Sequence, residues 1–121
     1  MGTYSYKQLT VWQKSIELTL LVYRITKNFP SDELYGLVSQ IRRCAVSIPS
    51  NIAEGYTRHR KLEYVRFLQI AYASGAELET QLLIAEKLRY IDSNSYLELC
   101  SLLDEIMKML NVLISKLRVK V

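Results

Sequence analysis

The chain has 121 residues, 50% of them hydrophobic, with only 4 Gly and 2 Pro. That length holds one core and not two. So few turn residues exclude a sandwich or barrel, which needs a turn signal about every 8–12 residues, and the apolar content excludes disorder.

Four segments carry helical periodicity and none carries strand alternation. The first spans about 7–28. It has two apolar faces, one with Leu9, Trp12, Ile16 and Tyr23, the other with Val11, Leu18, Val22, Ile25 and Phe29. The second spans about 32–57. Ser31 is placed to cap it, with Asp32 and Glu33 in the first turn, where the helix dipole favours acids. Its seam of Leu34, Val38, Ile41, Ala45, Ile48, Ile52 and Gly55 alternates steps of four and three, a heptad pattern. Pro49 falls inside it and removes one backbone hydrogen bond. The seam stays in phase beyond the proline, so the expectation is one helix kinked at Pro49.

The third segment spans about 61–89, with Tyr64, Leu68, Ala71, Gly75, Leu78, Leu82 and Ala85. A mid-helix glycine costs about 1 kcal/mol relative to alanine, so Gly75 implies a close helix approach. The fourth, about 94–118, follows a break at Tyr90–Asn94 and steps through Tyr96, Leu99, Leu103, Ile106, Leu110, Leu113 and Leu117. Long helices joined by short connections pack antiparallel to their sequence neighbours. The expected fold is therefore all-α, an up-down-up-down antiparallel four-helix bundle in a single domain, 1–121.

Most chemistry fails on residue count. A di-metal carboxylate bundle needs two Glu-x-x-His motifs, but the only histidine is His59, and Tyr56 stands three before it. A structural zinc site needs four ligands, and Cys44, His59 and Cys100 are only three, far apart in sequence. Neither a Gly-rich phosphate loop nor a nucleophile elbow is present. Glu77 and Glu79 lie two apart, on different helix faces. No catalytic residue, metal or cofactor is expected. The N-terminus lacks a secretory pattern, and no apolar run approaches a membrane span. The two cysteines read as reduced packing residues, and the chain as cytoplasmic.

The formal charge is +4, but it alternates along the chain. Residues 42–66 carry six cations against Glu54 and Glu63; residues 67–105 carry Lys87 and Arg89 against seven acids; residues 106–121 carry four cations and no acid. Such asymmetry bears on partners rather than on fold. Arg58, Arg60 and Lys61 form a cluster with His59, flanked by Tyr56 and Tyr64. Cations interleaved with aromatics suit RNA, since guanidinium binds phosphate and tyrosine stacks on bases. The candidate nucleic-acid-binding residues are Arg42, Arg43, Arg58, Arg60, Lys61, Arg66, Lys116, Arg118 and Lys120. Apolar stripes wider than a bundle needs mark a self-association surface, with Trp12, Ala73, Gly75, Leu102 and Met109 as its candidates.

Tyr6-Lys7-Gln8-Leu9-Thr10-Val11-Trp12-Gln13-Lys14 resembles the opening of a bacterial four-helix-bundle family encoded in intervening sequences of 23S ribosomal RNA genes. The run from Gln40 to Gly55 (QIRRCAVSIPSNIAEG) resembles that family's central signature, and Phe67–Ala71 with Ala76–Leu82 its third helix. The family also resembles the accessory protein of diversity-generating retroelements, a pentameric barrel that works with a reverse transcriptase and nucleic acid. The resemblance implies a homo-oligomer, pentameric in the family, with a basic surface for RNA or DNA and no enzymatic activity. A second reading makes the protein a structural adaptor that docks a protein partner. In that case Arg42 and Arg43 form ion pairs, for instance with Glu77 or Glu79 of a neighbouring subunit.

Overall fold

A computed structural model describes residues 5–118 of the chain. Four helices fill it: α1 Thr10–Thr26, α2 Leu37–Thr57, α3 Lys61–Lys87 and α4 Ser93–Arg118. Each helix packs on its sequence neighbours, and α1 closes the ring against α4. This is an antiparallel four-helix bundle, with no strand among the described residues.

The first two helices start later than their apolar patterns suggest. A 3-10 turn, Tyr6–Gln8, stands ahead of α1, closed by a reciprocal cap. Ser5 Oγ accepts from the Lys7 amide at 3.1 Å, and Gln8 Oε1 accepts from the Ser5 amide at 3.0 Å. Before α2, Ser31–Glu33 form a second 3-10 turn, and Ser31 does not cap the helix. That role falls to Glu33, whose Oε1 accepts from the Leu37 amide at 3.2 Å. Its Oε2 accepts from the Tyr90 hydroxyl at 3.0 Å, and the Tyr90 ring packs on Phe29 with centroids 5.4 Å apart. One carboxylate thus joins the α1–α2 connection to the α3–α4 connection. Leu34 lies ahead of the helix and is exposed, unlike the rest of its seam.

The core follows the seams. Val38, Ile41, Ala45, Ile48 and Ile52 of α2 are buried, as are Leu68, Ala71, Leu78 and Leu82 of α3 and Leu99, Leu103, Ile106 and Leu110 of α4. Ile114 completes the last seam, with Leu113 and Leu117 packed beside it. On α1 the face with Val11, Leu18 and Val22 faces inward, while Trp12 lies half-buried on its flank.

The α2 helix runs unbroken through Pro49, which is buried. Proline has no amide to offer the carbonyl four residues earlier, that of Ala45. Thr19 of α1 supplies a donor there. Its Oγ1 lies 3.2 Å from the Ala45 oxygen, sharing its proton with the Ser15 carbonyl at 2.8 Å. Between α2 and α3 the approach is closer still. A Cβ added to Gly55 would lie 2.6 Å from Phe67 Cβ and 3.3 Å from the Tyr64 carbonyl. Ser47 and Ser74 bridge the same pair through hydroxyls 2.9 Å apart. Gly75 is also buried, but faces the flexible thioether of Met107. Its close contact therefore lies within the chain, between α3 and α4.

Gly55→Ala is expected to lose about 1–3 kcal/mol in urea unfolding, because backbone must move. Gly75→Ala should stay within about 1 kcal/mol of the parent, since Met107 can turn aside and alanine favours the helix. Thr19→Val should cost about 1–3 kcal/mol, the range for an unsatisfied buried carbonyl. Pro49→Ala in the same chain should recover much of that loss by restoring an amide to Ala45. Strict additivity in the double-mutant cycle would contradict this role for Thr19.

Candidate nucleic-acid interface

The up-down-up-down course brings the end of α2, the start of α3 and the end of α4 to one end of the bundle. There, a groove of about 540 Å³ runs between α3 and α4, lined by Lys61, Leu62, Val65, Arg66, Gln69, Leu117 and Arg118. Three cations from two segments far apart in sequence meet in it, and no carboxylate lines it. Arg60 stands at the N-cap position of α3 and is exposed. His59, just before it, holds the left-handed conformation at φ 60°, which tightens the α2–α3 connection.

Helix dipoles make the two sides of the groove unlike. Arg118 lies in the last turn of α4, where a cation is favoured. Lys61 and Arg60 crowd the N-terminus of α3, where the dipole already presents positive charge and Glu63 is the acid of the first turn. An anion placed there relieves that repulsion.

The other candidate cations do not join the groove. Arg58 is bound by groups of its own chain. Its guanidinium lies 2.9 Å from Glu54 and 3.4 Å from Glu63, and covers the Phe67 ring at 4.9 Å. Its pKa is raised above the ordinary arginine value, chiefly by the hydrogen bond to Glu54. Arg42 Nε donates to Thr26 Oγ1 at 2.9 Å, and its guanidinium lies 4.5 Å from the centre of the Tyr23 ring. Arg42 therefore fastens α2 to the end of α1. Arg43 is exposed, with Ser39 Oγ 3.5 Å away. Both line a shallow groove with Tyr23, Leu34, Tyr35, Val38 and Val46. Sixteen residues of helix, about 24 Å, separate Arg42 from Arg58. Lys116 borders a different, apolar groove with Leu9, Met109, Val112 and Leu113. Lys120 lies outside the described residues.

The aromatic partners are also engaged. Tyr56 and Tyr64 stand edge-to-face on each other, with centroids 5.7 Å apart. Elsewhere, Lys14–Glu105 at 3.4 Å and Lys108–Asp104 at 3.2 Å take up further charge.

The side chains that a nucleophile and its base would need do not meet. Cys44 lies in the middle of α2 and His59 beyond its end, about 20 Å away along the axis. Burial pushes the Cys44 thiol up to about 11, and the Glu77 carboxylate adds to the shift, so the thiol stays protonated near neutral pH. Ser47 is bonded to Ser74 and to Asn51. Among the described residues no group of three His, Cys, Asp or Glu side chains is placed to hold a metal ion, and no helix is long and apolar enough to cross a membrane.

Of the candidate self-association residues, Trp12, Leu102 and Met109 pack half-buried against the core, and Ala73 is exposed. The larger exposed apolar surface lies elsewhere. Tyr35 is 94% exposed and Leu62 85%. The outer side of α3 carries exposed Ile70, Leu83 and Ile84. The signal for this was apolar residues on all sides of the third helix, beyond its seam.

A solved structure, described as a protein with unknown function from the S23 ribosomal protein family of Bacteroides thetaiotaomicron VPI-5482, has the same fold. It aligns with a TM-score of 0.81 at 25% identity, over 87% of this chain and 95% of that one. No curated protein matches the chain. The family model described as 23S rRNA-intervening sequence protein matches residues 7–112. With nearly the whole bundle inside that match, the chain belongs to the 23S rRNA-intervening sequence protein family.

Proposed function

We propose that this protein is a non-enzymatic, cytoplasmic homo-oligomer that binds RNA or DNA through the basic end of its bundle. The observation that carries the reading is the groove in which Lys61, Arg66 and Arg118 meet without a carboxylate. Phosphate is the anion such a surface suits, and Lys and Arg contacts to phosphate supply most non-specific affinity. Arg60 extends the surface beyond the groove, and Lys116 follows on the last turns of α4. Arg58 and Arg42 hold the fold; Arg43 stands apart at the other end. The exposed apolar side of α3, with Ile70, Leu83 and Ile84, is the surface we assign to self-association. The number of subunits, five, comes from the family resemblance.

The competing reading is an adaptor that docks a protein partner. The shallow apolar groove between Leu9, Val11, Met109 and Val112, about 450 Å³ in volume, favours it. Affinity capture that survives nuclease treatment and recovers one defined protein would support that reading.

Fluorescence anisotropy with labelled RNA across a salt series tests the proposal. Neutralising about four phosphates gives a slope of log affinity against log salt of about −3 to −4. Combining Lys61→Ala, Arg66→Ala and Arg118→Ala should flatten that slope by about 2–3, because each phosphate contact contributes about one. Arg42→Ala should lower the melting temperature and leave the slope intact. The absence of binding at low salt, or a triple variant that binds like the parent, would overturn the assignment.

A further inference from the structure

We infer that self-association joins two different faces of the bundle: the α1–α2 flank that carries Arg42 and Arg43 receives the α3–α4 flank of a second copy, which carries Glu79 and Glu86. This rests on the reading above, that the exposed apolar side of α3 is a self-association surface.

On α3 a second stripe runs beside the core seam. Ala71, Gly75, Leu78, Leu82 and Ala85 are buried. The residues that follow them, Tyr72, Ala76, Glu79, Leu83 and Glu86, repeat the same heptad steps one position further round the helix. Tyr72, Ala76, Glu79 and Leu83 are exposed, and Glu86 is half-buried. The two acids lie on the side of α4. Burial pushes the Cys100 thiol of α4 up, and the carboxylates of Glu79 and Glu86 add to that shift. The neighbouring acid Glu77 lies towards α2 instead, where it accepts from Gln81 Nε2 at 3.3 Å and acts on Cys44.

The α2 flank has the same offset from its seam. Ser39, Arg42 and Val46 follow the buried Val38, Ile41 and Ala45, and Arg42 is bonded to α1 through Thr26. Tyr23, Leu34, Tyr35 and Val46 expose apolar surface in the groove that Arg42 and Arg43 line. Among the described residues neither arginine forms an ion pair, and neither Glu79 nor Glu86 does. One flank therefore carries two cations among aromatic and aliphatic side chains, and the other two acids beside Leu83 and Tyr72. Arginine and aromatic side chains are enriched at interfaces, and complementary charge sets which faces meet.

The two flanks lie on opposite sides of the ring of helices, α1 with α2 on one and α3 with α4 on the other. A contact that pairs these charges is thus heterologous, one patch meeting a different patch of the next copy. The heights agree as well. Ser47 and Ser74 meet hydroxyl to hydroxyl and mark one level of the antiparallel pair. Arg43 lies about 6 Å beyond that level along α2, and Glu79 about 7.5 Å beyond it along α3, in the same direction. Copies standing side by side, with no shift along the bundle axis, bring Arg43 level with Glu79. A heterologous contact without axial rise closes into a ring instead of running on as a filament.

Light scattering of the purified chain across a dilution series tests this, with Arg43→Glu, Glu79→Arg and the two combined. The parent is expected to be an oligomer. Each single reversal sets like charges opposite one another and should raise the dissociation constant between copies by about tenfold or more. The double reversal restores opposite charge and should recover most of the affinity. Melting followed by circular dichroism should match the parent in each case, since both side chains are exposed. Should a reversal fail to fold, Arg43→Gln and Glu79→Gln carry the same test with smaller losses. An oligomer whose affinity survives both single changes overturns the inference, and so does a double variant no tighter than the singles. A parent chain that is monomeric throughout the series overturns the self-association reading itself, which is a separate result.

Discussion

The close approach of α2 and α3 is the constraint on which the rest of the molecule depends. At Gly55 the two helices come together until there is no room for a methyl group between the α2 backbone and Phe67. Further along the same pair of helices, the hydroxyls of Ser47 and Ser74 bridge the gap. Helices this close cannot diverge before they are joined, so the connection between them is short and His59 adopts a left-handed conformation to complete it. The same tight turn places Arg60 and Lys61 at the very start of α3.

This packing sorts the cations by where they lie on the frame. Arg58, at the end of α2, is drawn onto Phe67 and held by an acid from each side of the turn. Arg42, nearer the other end, is close to the carboxyl end of α1 and ties the two helices together. Lys61, Arg66 and Arg118 line the groove instead. Equal residue types in neighbouring stretches of sequence thus have different physical roles. Some neutralise local acids and packing surfaces, while others accumulate an unbalanced field. Crowding cations at a helix N-terminus is unfavourable by itself. It persists in a bundle whose stability comes from buried apolar seams rather than from surface charge.

A second economy is the proline inside α2. A buried helix with a missing amide needs another donor, and Thr19 approaches from α1 to provide it. Polar side chains at the interfaces, such as Thr19, Ser47 and Thr26, therefore act on specific backbone or side-chain partners. They fix the register of the helices where apolar packing by itself would allow sliding. Glu33 does the corresponding work at the far end, joining two connections through one carboxylate.

The apolar periodicity of the chain determined the all-α class, the four helices, their antiparallel order and most of the core. Burial of one face per helix is a local pattern that needs no knowledge of neighbours. The starts of α1 and α2 were not legible in this way, because their caps come from Ser5 with Gln8 and from Glu33, and the apolar spacing continues across both 3-10 turns. The candidate site was legible only in part. Residue types and charge runs marked Arg58 to Lys61 as basic, and the i,i+4 spacing of Glu54 and Arg58 favours a pair, but nothing local placed Glu63 on Arg58 or Lys61 beside the groove. Only the tertiary structure decided that Arg118 joins Lys61 and Arg66 in one groove while Arg42 and Arg43 line another. The physical reason is that a charge acts on what is near it in space, and antiparallel packing sets which distant segments become neighbours.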